Sequence, residues 1–172
     1  MSIRRIVLTG PESTGKTTLA KELATYFNTS WVAEIARELL PQLGRPYNYN
    51  DLLPIAEKQL ELETLQLNQA KNWLFCDTGP LVVKVWSEFQ FGKSDPKVAD
   101  LVDAHTYDYY LLCDIDLPWE ADPLRENPKD RKELYELYHN ELQQRQFPFS
   151  KISGNGPERL KNALLALEQF FS

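Results

Sequence analysis

The segment Gly10-Pro-Glu-Ser-Thr-Gly-Lys-Thr17 limits the fold of this chain more than any other feature. It fits the pattern G-x-x-x-x-G-K-[ST], in which a glycine-rich loop turns backbone N–H groups toward phosphate. A β-branched run over residues 4–9 precedes the loop, and a helical pattern from Lys16 to Phe27 follows it. This order of strand, loop and helix is the context that the motif requires, so we predict that the loop binds the phosphates of ATP.

Short apolar runs alternate with helical patterns along the rest of the chain. The runs at 30–33, 73–76, 109–113 and 149–152 predict four further strands. Between these runs the spacing predicts six helices. Three have both bounds: 35–43, 81–91, and Asn127-Pro128 to about Gln146. The other three are predicted from their starts: a cap at Asn50, Ser94-Asp95-Pro96, and Gly154-Asn-Gly-Pro157. Because strands and helices alternate, we predict an α/β fold, in which the phosphate loop follows the first strand of a five-stranded parallel sheet flanked by helices on both faces.

Length and charge are those of one globular domain over residues 1–172. The net charge is −6 and the Lys and Arg residues are scattered, so we expect no nucleic-acid partner. No apolar stretch approaches the ~20 residues of a membrane span and no signal segment is evident, so we expect no membrane association and a cytoplasmic location. Cys76 and Cys113 lie in predicted strands and should be buried free thiols. The oligomeric state is not determined, and a homo-oligomer stays open.

The remaining sequence narrows the class of P-loop protein. A GTPase would carry N-K-x-D and D-x-x-G, but Asn127-Pro-Lys-Asp130 has its lysine one place late, and Pro80 replaces the glycine that should follow Asp77. An AAA-type motor would need a longer chain with a helical second domain. Small-molecule kinases remain, because they are short five-stranded domains with an arginine-bearing lid before the last strand. Arg125 and Arg131 lie at that place, where a guanidinium can offset charge on the transferred phosphate.

Nucleotide and metal binding are assigned mainly to the phosphate loop. Lys16 supplies a charge for the β- and γ-phosphates, and Thr17 offers its hydroxyl to Mg²⁺. The residues predicted to bind ATP are Gly10, Glu12, Ser13, Thr14, Gly15, Lys16, Thr17, Thr18 and Asn155. The predicted cofactors are therefore ATP and Mg²⁺.

Two carboxylates follow predicted strands, where ligands of parallel sheets bind. Asp77 ends the run Trp-Leu-Phe-Cys and is assigned to Mg²⁺ or to the acceptor hydroxyl. Glu34 follows the second strand, although the helix dipole alone also favours a glutamate there. Which of the two is the base stays open. The predicted catalytic residues are Lys16, Asp77, Glu34, Arg125 and Arg131.

Aromatic side chains near the polar stretches are candidates for binding the acceptor. Tyr47, Trp86 and Trp119 can stack on a flat cationic or aromatic ring, and Asp116 and Asp122 can hold sugar hydroxyls. Trp119 is the first candidate for stacking, because the Pro118-Trp119 turn lies between the fourth strand and the lid arginines. Packing in the core is the competing explanation for each aromatic residue.

Five groups of residues together resemble one family. They are the phosphate loop, Val32-Ala-Glu-Ile-Ala-Arg37, Phe75-Cys-Asp-Thr78, Trp86-Ser87 with Phe91-Gly92, and Asp116-Leu-Pro-Trp-Glu-Ala-Asp122 with Arg125. They are similar to the nicotinamide riboside kinase domain at the C-terminus of bifunctional NAD-salvage proteins. The resemblance implies ATP-dependent phosphorylation of the riboside 5′-hydroxyl, giving nicotinamide mononucleotide.

Two departures from that family are visible. The phosphate loop begins at residue 10, so we expect no adenylyltransferase domain before it and no such activity. Pro123 stands where a small residue such as glycine is expected in the lid. Two alternatives stay open: a kinase of another nucleoside or small metabolite, and a non-catalytic sensor of ATP and a pyridine nucleotide. Asp77 together with Arg125 favours the enzyme, because a sensor needs neither acceptor activation nor a lid charge.

Overall fold

The computed structural model describes residues 2–104 and 107–172, and in these ranges the chain forms five strands and seven helices. The strands are β1 (Arg4–Thr9), β2 (Ser30–Val32), β3 (Trp73–Asp77), β4 (Tyr109–Cys113) and β5 (Phe149–Ile152). The helices are α1 (Lys16–Tyr26), α2 (Ala36–Gln42), α3 (Tyr49–Leu67), α4 (Pro80–Phe91), α5 (Pro96–Asp103), α6 (Arg131–Gln144) and α7 (Pro157–Phe171).

All five strands form one parallel sheet in the order β2-β3-β1-β4-β5, which confirms the predicted fold class. β1 is central, with Leu8 in register with Asp77 of β3 and Thr9 in register with Leu112 of β4. The chain order reverses on the two sides of β1. Ligands of open α/β sheets bind at such a switch point, outside the carboxyl ends of the strands. The loop that follows β1 therefore begins at the centre of the ligand-binding edge.

Helices cover both faces of the sheet. Ile6 and Leu8 of β1 pack in a buried cluster with α1 and α7, whereas Val7 packs in a second cluster with α4 and α6. The strand residues alternate between these two apolar clusters, so neither face of the sheet can be polar. Burying each leucine or valine contributes about 1.5–3 kcal/mol. Cys76 and Cys113 are buried free thiols, as predicted.

Two predicted helix starts are wrong. The cap of α3 is Asn48 and not Asn50: the Asn48 side chain accepts the Asn50 N–H at 2.9 Å, and the Asp51 carboxylate accepts the Asn48 N–H at 2.7 Å. This reciprocal capping box fixes the start two residues earlier. Helix α6 begins at Arg131 and not at Asn127. The Asn127 N–H donates to the Glu12 carboxylate, residues 127–130 form a turn, and the first helical bond runs from the Leu134 N–H to the Asp130 carbonyl at 2.9 Å.

None of the helices in the described ranges combines the length and the apolar run that crossing a membrane requires.

Candidate active site

The loop between β1 and α1 depends on its glycines. Gly10 has a φ of 130°, and a Cβ there would lie 2.9 Å from the carbonyl oxygen of Cys113. Gly15 caps α1 with a φ of 77°. The Thr14 hydroxyl donates to the Pro11 carbonyl at 2.8 Å and closes the loop on itself. Side chains are therefore excluded from the curve of the loop, which leaves its backbone accessible to a phosphate.

Lys16 lies over the same loop. Its ammonium group donates to the carbonyl oxygens of Gly10 at 2.9 Å and Pro11 at 2.7 Å. These neutral acceptors hold the charge at the loop without cancelling it. A phosphate bound by the loop can take over the same donors.

Asp77 is joined to the loop through Thr17. The Thr17 hydroxyl donates to Oδ2 of Asp77 at 2.5 Å, while the buried Oδ1 has no hydrogen-bond partner among the described residues. Burial raises the pKa of Asp77, although the Thr17 hydrogen bond and the Lys16 charge oppose the shift. A carboxylate oxygen without a partner beside a threonine hydroxyl fits Mg²⁺, which takes few protein ligands and keeps phosphate and water oxygens. No cluster of three or more acidic, His or Cys side chains that could hold a metal alone occurs in residues 2–104 and 107–172.

Glu34 and Arg37 lie at the start of α2. Burial and the nearby charge of Asp77 raise the pKa of Glu34, while Lys16 and Arg37 oppose the shift. The Arg37 guanidinium lies 3.4 Å from the Glu34 carboxylate and donates to Asp122 at 3.0 Å. Arg37 thus connects the sheet edge to the segment before α6. The sequence motif contained Arg37, but no role was predicted for it.

An aromatic pair stands apart from the loop. The rings of Tyr47 and Trp86 are 4.8 Å apart at 63°, and the Trp86 indole N–H donates to the Tyr47 hydroxyl oxygen at 3.0 Å. The Tyr47 hydroxyl donates in turn to the Glu126 carboxylate at 2.7 Å. Phe91 packs edge-on against Tyr47 with ring centres 6.0 Å apart. Hydrogen bonds through both polar atoms hold this pair in place.

The connection of residues 118–130, called the lid segment here, is bound to the phosphate loop. The Glu12 carboxylate accepts the backbone N–H groups of Glu126 and Asn127, and the Ser13 hydroxyl oxygen accepts the N–H of Glu120 at 2.9 Å. Arg125 donates to the Glu120 carbonyl at 2.6 Å, while its buried Nε has no partner in the described part of the chain. Arg125 also lines the cavity, so its side chain lies at the wall where a ligand would bind.

The second predicted lid arginine occupies a different place. Arg131 donates to the carbonyl oxygens of Ser13 at 3.1 Å and Leu117 at 2.9 Å, and its guanidinium lies 5.8 Å from the centre of the Trp119 ring. These contacts hold the phosphate loop and the start of the lid segment together. The predicted catalytic role of Arg131 stays a prediction.

A single cavity of about 860 Å³ connects the loop and the aromatic pair. The predicted site residues on its wall are Gly10, Glu12, Ser13, Thr14, Gly15, Lys16, Thr17, Thr18, Glu34, Tyr47, Trp86, Arg125 and Asn155. Asp77 lies behind the wall and reaches the cavity through Thr17. Trp119 and Arg131 are not on the wall.

The two predicted sugar-binding aspartates are paired with protein groups and are also off the cavity wall. Asp116 accepts a hydrogen bond from Arg159 at 2.7 Å and one from the Gly154 N–H at 2.6 Å. Although burial opposes the shift, these bonds hold the pKa of Asp116 below its ordinary value. Asp122 accepts a hydrogen bond from the Leu124 N–H at 2.9 Å and forms an ion pair with Arg37 at 3.0 Å. Neither carboxylate therefore lines the cavity, and their role in binding a sugar stays a prediction.

Arg159 was missed from the sequence. This α7 residue is 4% exposed, and it donates to the carbonyl oxygens of Thr14 and Asp114 at 2.8 Å each. It fixes the back of the phosphate loop against the end of β4. One signal was present: Arg159 occupies the same face of α7 as the buried Ala163 and Ala166, where an apolar residue is expected.

Comparison with known proteins gives one family match. A protein-family model described as an AAA domain matches residues 5–159, from β1 to the first turn of α7. The sequence analysis argued only against an AAA-type motor, because such a motor needs a longer chain with a second, helical domain. In the described residues the chain consists of the P-loop sheet and its helices, without a separate helical domain.

Two curated relatives are NAD biosynthesis/regulator proteins. The chain is 29% identical over 156 residues to the trifunctional NAD biosynthesis/regulator protein NadR of Escherichia coli K12, and equally to that of Salmonella typhimurium LT2. The match covers 87% of this chain and 38% of each relative, so the chain spans well under half of their length. The similarity that the sequence motifs indicated is thus confirmed.

Solved structures show the same fold. A crystal structure of NadR protein in complex with NR superposes with a TM-score of 0.83 at 19% identity, over 98% of this chain and 51% of that one. Another, of NadR protein in complex with NAD and AMP-PNP, gives 0.78 at 19% identity, over 98% of this chain and 49% of that one. A thymidylate kinase from Ehrlichia chaffeensis gives 0.72 at 13% identity over the full length of both chains.

Proposed function

Because the chain belongs to the AAA domain family and has the fold of a P-loop kinase, we propose that it phosphorylates nicotinamide riboside. In this reaction the 5′-hydroxyl takes the γ-phosphate of ATP, and the products are nicotinamide mononucleotide and ADP. The observation that carries the proposal is the single cavity, with the phosphate loop at one end, the pair Tyr47 and Trp86 at the other, and Glu34 on the same wall. The relatives support this acceptor, since their name refers to NAD biosynthesis and one NadR structure contains NR.

The nucleotide end binds phosphate through backbone groups. The N–H groups of the loop and the Lys16 ammonium bind the β- and γ-phosphates, and the lysine exchanges its bonds to Gly10 and Pro11 for bonds to phosphate. Arg125 adds charge from the lid segment as the phosphoryl group moves. The NadR structure with AMP-PNP, an ATP analogue, supports ATP as the donor.

Thr17 and Asp77 are the residues that would hold Mg²⁺. Thr17 lines the cavity and donates its hydroxyl to Asp77, which lies behind it and has one oxygen without a partner among the described residues. When bound, the metal would neutralise charge on the phosphates during transfer. Because Asp77 is committed to Thr17, Glu34 is the better base for the acceptor hydroxyl. Its raised pKa suits a group that accepts a proton near neutral pH.

The acceptor end favours a riboside without a phosphate. The cavity-lining cations at this end are Arg37 and Arg45, and both are already paired. Arg45 donates two hydrogen bonds of 2.8 Å to Asp51, and Arg37 pairs with Asp122 and Glu34. A phosphorylated acceptor would have to break one of these pairs. The aromatic faces of Tyr47 and Trp86 instead suit a flat pyridinium ring.

A panel assay tests the proposed function. Purified protein is incubated with ATP, Mg²⁺ and one acceptor at a time: nicotinamide riboside, cytidine, uridine, adenosine or thymidine monophosphate. We expect ADP and a phosphorylated product to form fastest with nicotinamide riboside. Faster turnover of another acceptor would replace the proposed substrate, and nucleotide binding without any turnover would indicate a sensor.

A further inference from the structure

We propose that Glu126 of the lid segment is a specificity residue, which makes the acceptor end of the cavity prefer a positively charged ring to a neutral one. The inference rests on the proposed function and names the feature of the acceptor that is selected. Glu126 lies outside the phosphate loop, the base and the metal-binding pair.

A chain of hydrogen bonds connects Glu126 to the aromatic pair. Trp86 donates its indole N–H to Tyr47 at 3.0 Å, and Tyr47 donates its only hydroxyl proton to Glu126 at 2.7 Å. The phenol oxygen is therefore fixed from both sides. The carboxylate of the lid segment thus sets the position of a ring on the cavity wall.

Negative charge is concentrated at this point. The Glu12 carboxylate accepts the backbone N–H of Glu126, so it lies against the segment that carries Glu126. Burial raises the pKa of Tyr47, and the charges of Glu126 and Glu12 raise it further, so both carboxylates act on the aromatic pair. The nearby Arg45 and Arg37 are paired with Asp51 and with Asp122 and Glu34, respectively. A ring bound here meets the Glu126 carboxylate, which is hydrogen-bonded to the neutral Tyr47 hydroxyl, and an aromatic face; both attract a cation.

Consecutive lid residues serve the two ends of the cavity. Arg125 donates to the Glu120 carbonyl and lines the cavity, whereas Glu126 contacts Tyr47. The segment that carries positive charge for phosphate therefore also carries negative charge for the acceptor ring. A neutral ring gains nothing from that carboxylate.

Two acceptors and three variants isolate the charge. Nicotinamide riboside and its reduced dihydro form share the same sugar, but only the first has a cationic ring. Glu126→Gln keeps an oxygen that accepts the Tyr47 hydrogen bond and removes the charge. Tyr47→Phe keeps the ring and removes the hydroxyl. Glu133→Gln, an exposed position in the first turn of α6 and off the cavity wall, is the matched control for loss of one charge.

We expect Glu126→Gln to raise the KM for nicotinamide riboside about three- to ten-fold, while the KM values for the reduced riboside and ATP change less than about two-fold. Tyr47→Phe should raise the KM of both acceptors, because it releases the ring. Glu133→Gln should leave all three KM values within about two-fold of wild type. Equal effects of Glu126→Gln on both acceptors, no effect on either, or a parallel rise in the KM for ATP would overturn the role of Glu126.

Direct binding separates this inference from the proposed function. Quenching of tryptophan fluorescence reports binding of each riboside whether or not phosphate is transferred. Wild-type protein that forms no nicotinamide mononucleotide contradicts the proposed function. Wild-type protein that binds both ribosides equally, or a Glu126→Gln variant with an unchanged preference, contradicts the specificity role alone.

Discussion

The two ends of the cavity present different chemical groups to a ligand. At the nucleotide end one contiguous loop, residues 10–18, supplies backbone N–H groups and one ammonium group. At the acceptor end four separated positions supply side chains: Glu34, Tyr47, Trp86 and Glu126. The nucleotide end carries the Lys16 ammonium, and the acceptor end carries the carboxylates of Glu34 and Glu126. A backbone-built site depends on a few local residues, whereas a side-chain site depends on the fold that assembles it.

Replacing the base should have the largest effect. Glu34→Gln keeps the shape of the side chain but cannot take the hydroxyl proton, so kcat should fall about 10²- to 10⁴-fold with little change in the KM for ATP. Steady-state kinetics with nicotinamide riboside measures this. Unchanged turnover would transfer the role of base to Asp77.

The pH dependence of the wild-type protein also tests Glu34 as the base. Glu34 acts ionised, and its pKa is raised by burial and by Asp77, so kcat/KM should fall as the pH drops through a value above the ordinary glutamate range. Glu34→Gln should lack this acid limb. An acid limb that persists in the variant would belong to another group.

Lys16→Ala, at the nucleotide end of the cavity, should lower activity almost as much as replacing the base. The variant removes the charge over the phosphates, and Arg159 cannot replace it because that side chain is bound to Thr14, Asp114 and Asp116. We expect kcat/KM to fall about 10²- to 10³-fold and nucleotide binding to weaken. Lys161→Ala, an exposed lysine of α7, is the control and should retain full activity. Normal turnover of the Lys16 variant would contradict binding of the β- and γ-phosphates by Lys16.

Asp77→Asn tests the metal-binding role. The amide keeps the size of the side chain but loses the charge that holds Mg²⁺ near Thr17, so kcat should fall about 10- to 100-fold and more Mg²⁺ should be needed. A titration of activity against Mg²⁺ measures both. An unchanged metal requirement would leave Asp77 as a purely structural partner of Thr17.

The aromatic residues should show the smallest effects and separate the acceptor end from the lid surface. Trp86→Leu keeps an apolar side chain and loses the π face and the N–H, so the KM for nicotinamide riboside should rise about three- to thirty-fold with little change for ATP.

Trp119→Leu is the matched comparison. The sequence favoured Trp119 for stacking, but its ring lies beside Arg131 and off the cavity wall. We expect less than about a two-fold change in the KM for nicotinamide riboside. A larger rise in the KM for nicotinamide riboside with Trp119→Leu than with Trp86→Leu would assign ring stacking to Trp119.

The sheet could be predicted from the sequence because each strand is determined by a short run of neighbouring residues. Each strand is an apolar run, and the phosphate loop follows β1 directly, so five strands and the nucleotide end were predicted without tertiary knowledge. The errors at the starts of α3 and α6 have a different origin in each case. Asp51 completes a cap at Asn48, whereas Glu12 binds the Asn127 N–H from 115 positions away. Only the second contact lies beyond the reach of local patterns.

The acceptor end shows the same limit more clearly. The residue types were predicted, since Tyr47 and Trp86 were named, but Trp119 was preferred to them. Glu126 is 79 positions from Tyr47, and Arg37 is 85 positions from Asp122. No spacing rule connects such pairs. They become neighbours only when the lid segment lies across the carboxyl edge of the sheet.

Isotope transfer is the most direct test of the central claim that one cavity binds both substrates and passes phosphate between them. The protein is incubated with nicotinamide riboside and ATP labelled with ¹⁸O in the γ-phosphate, and the products are resolved by mass spectrometry. We predict one labelled phosphate on the riboside 5′-oxygen for each ADP formed. Label recovered only as inorganic phosphate, or ADP formed at the same rate without the riboside, would contradict the claim.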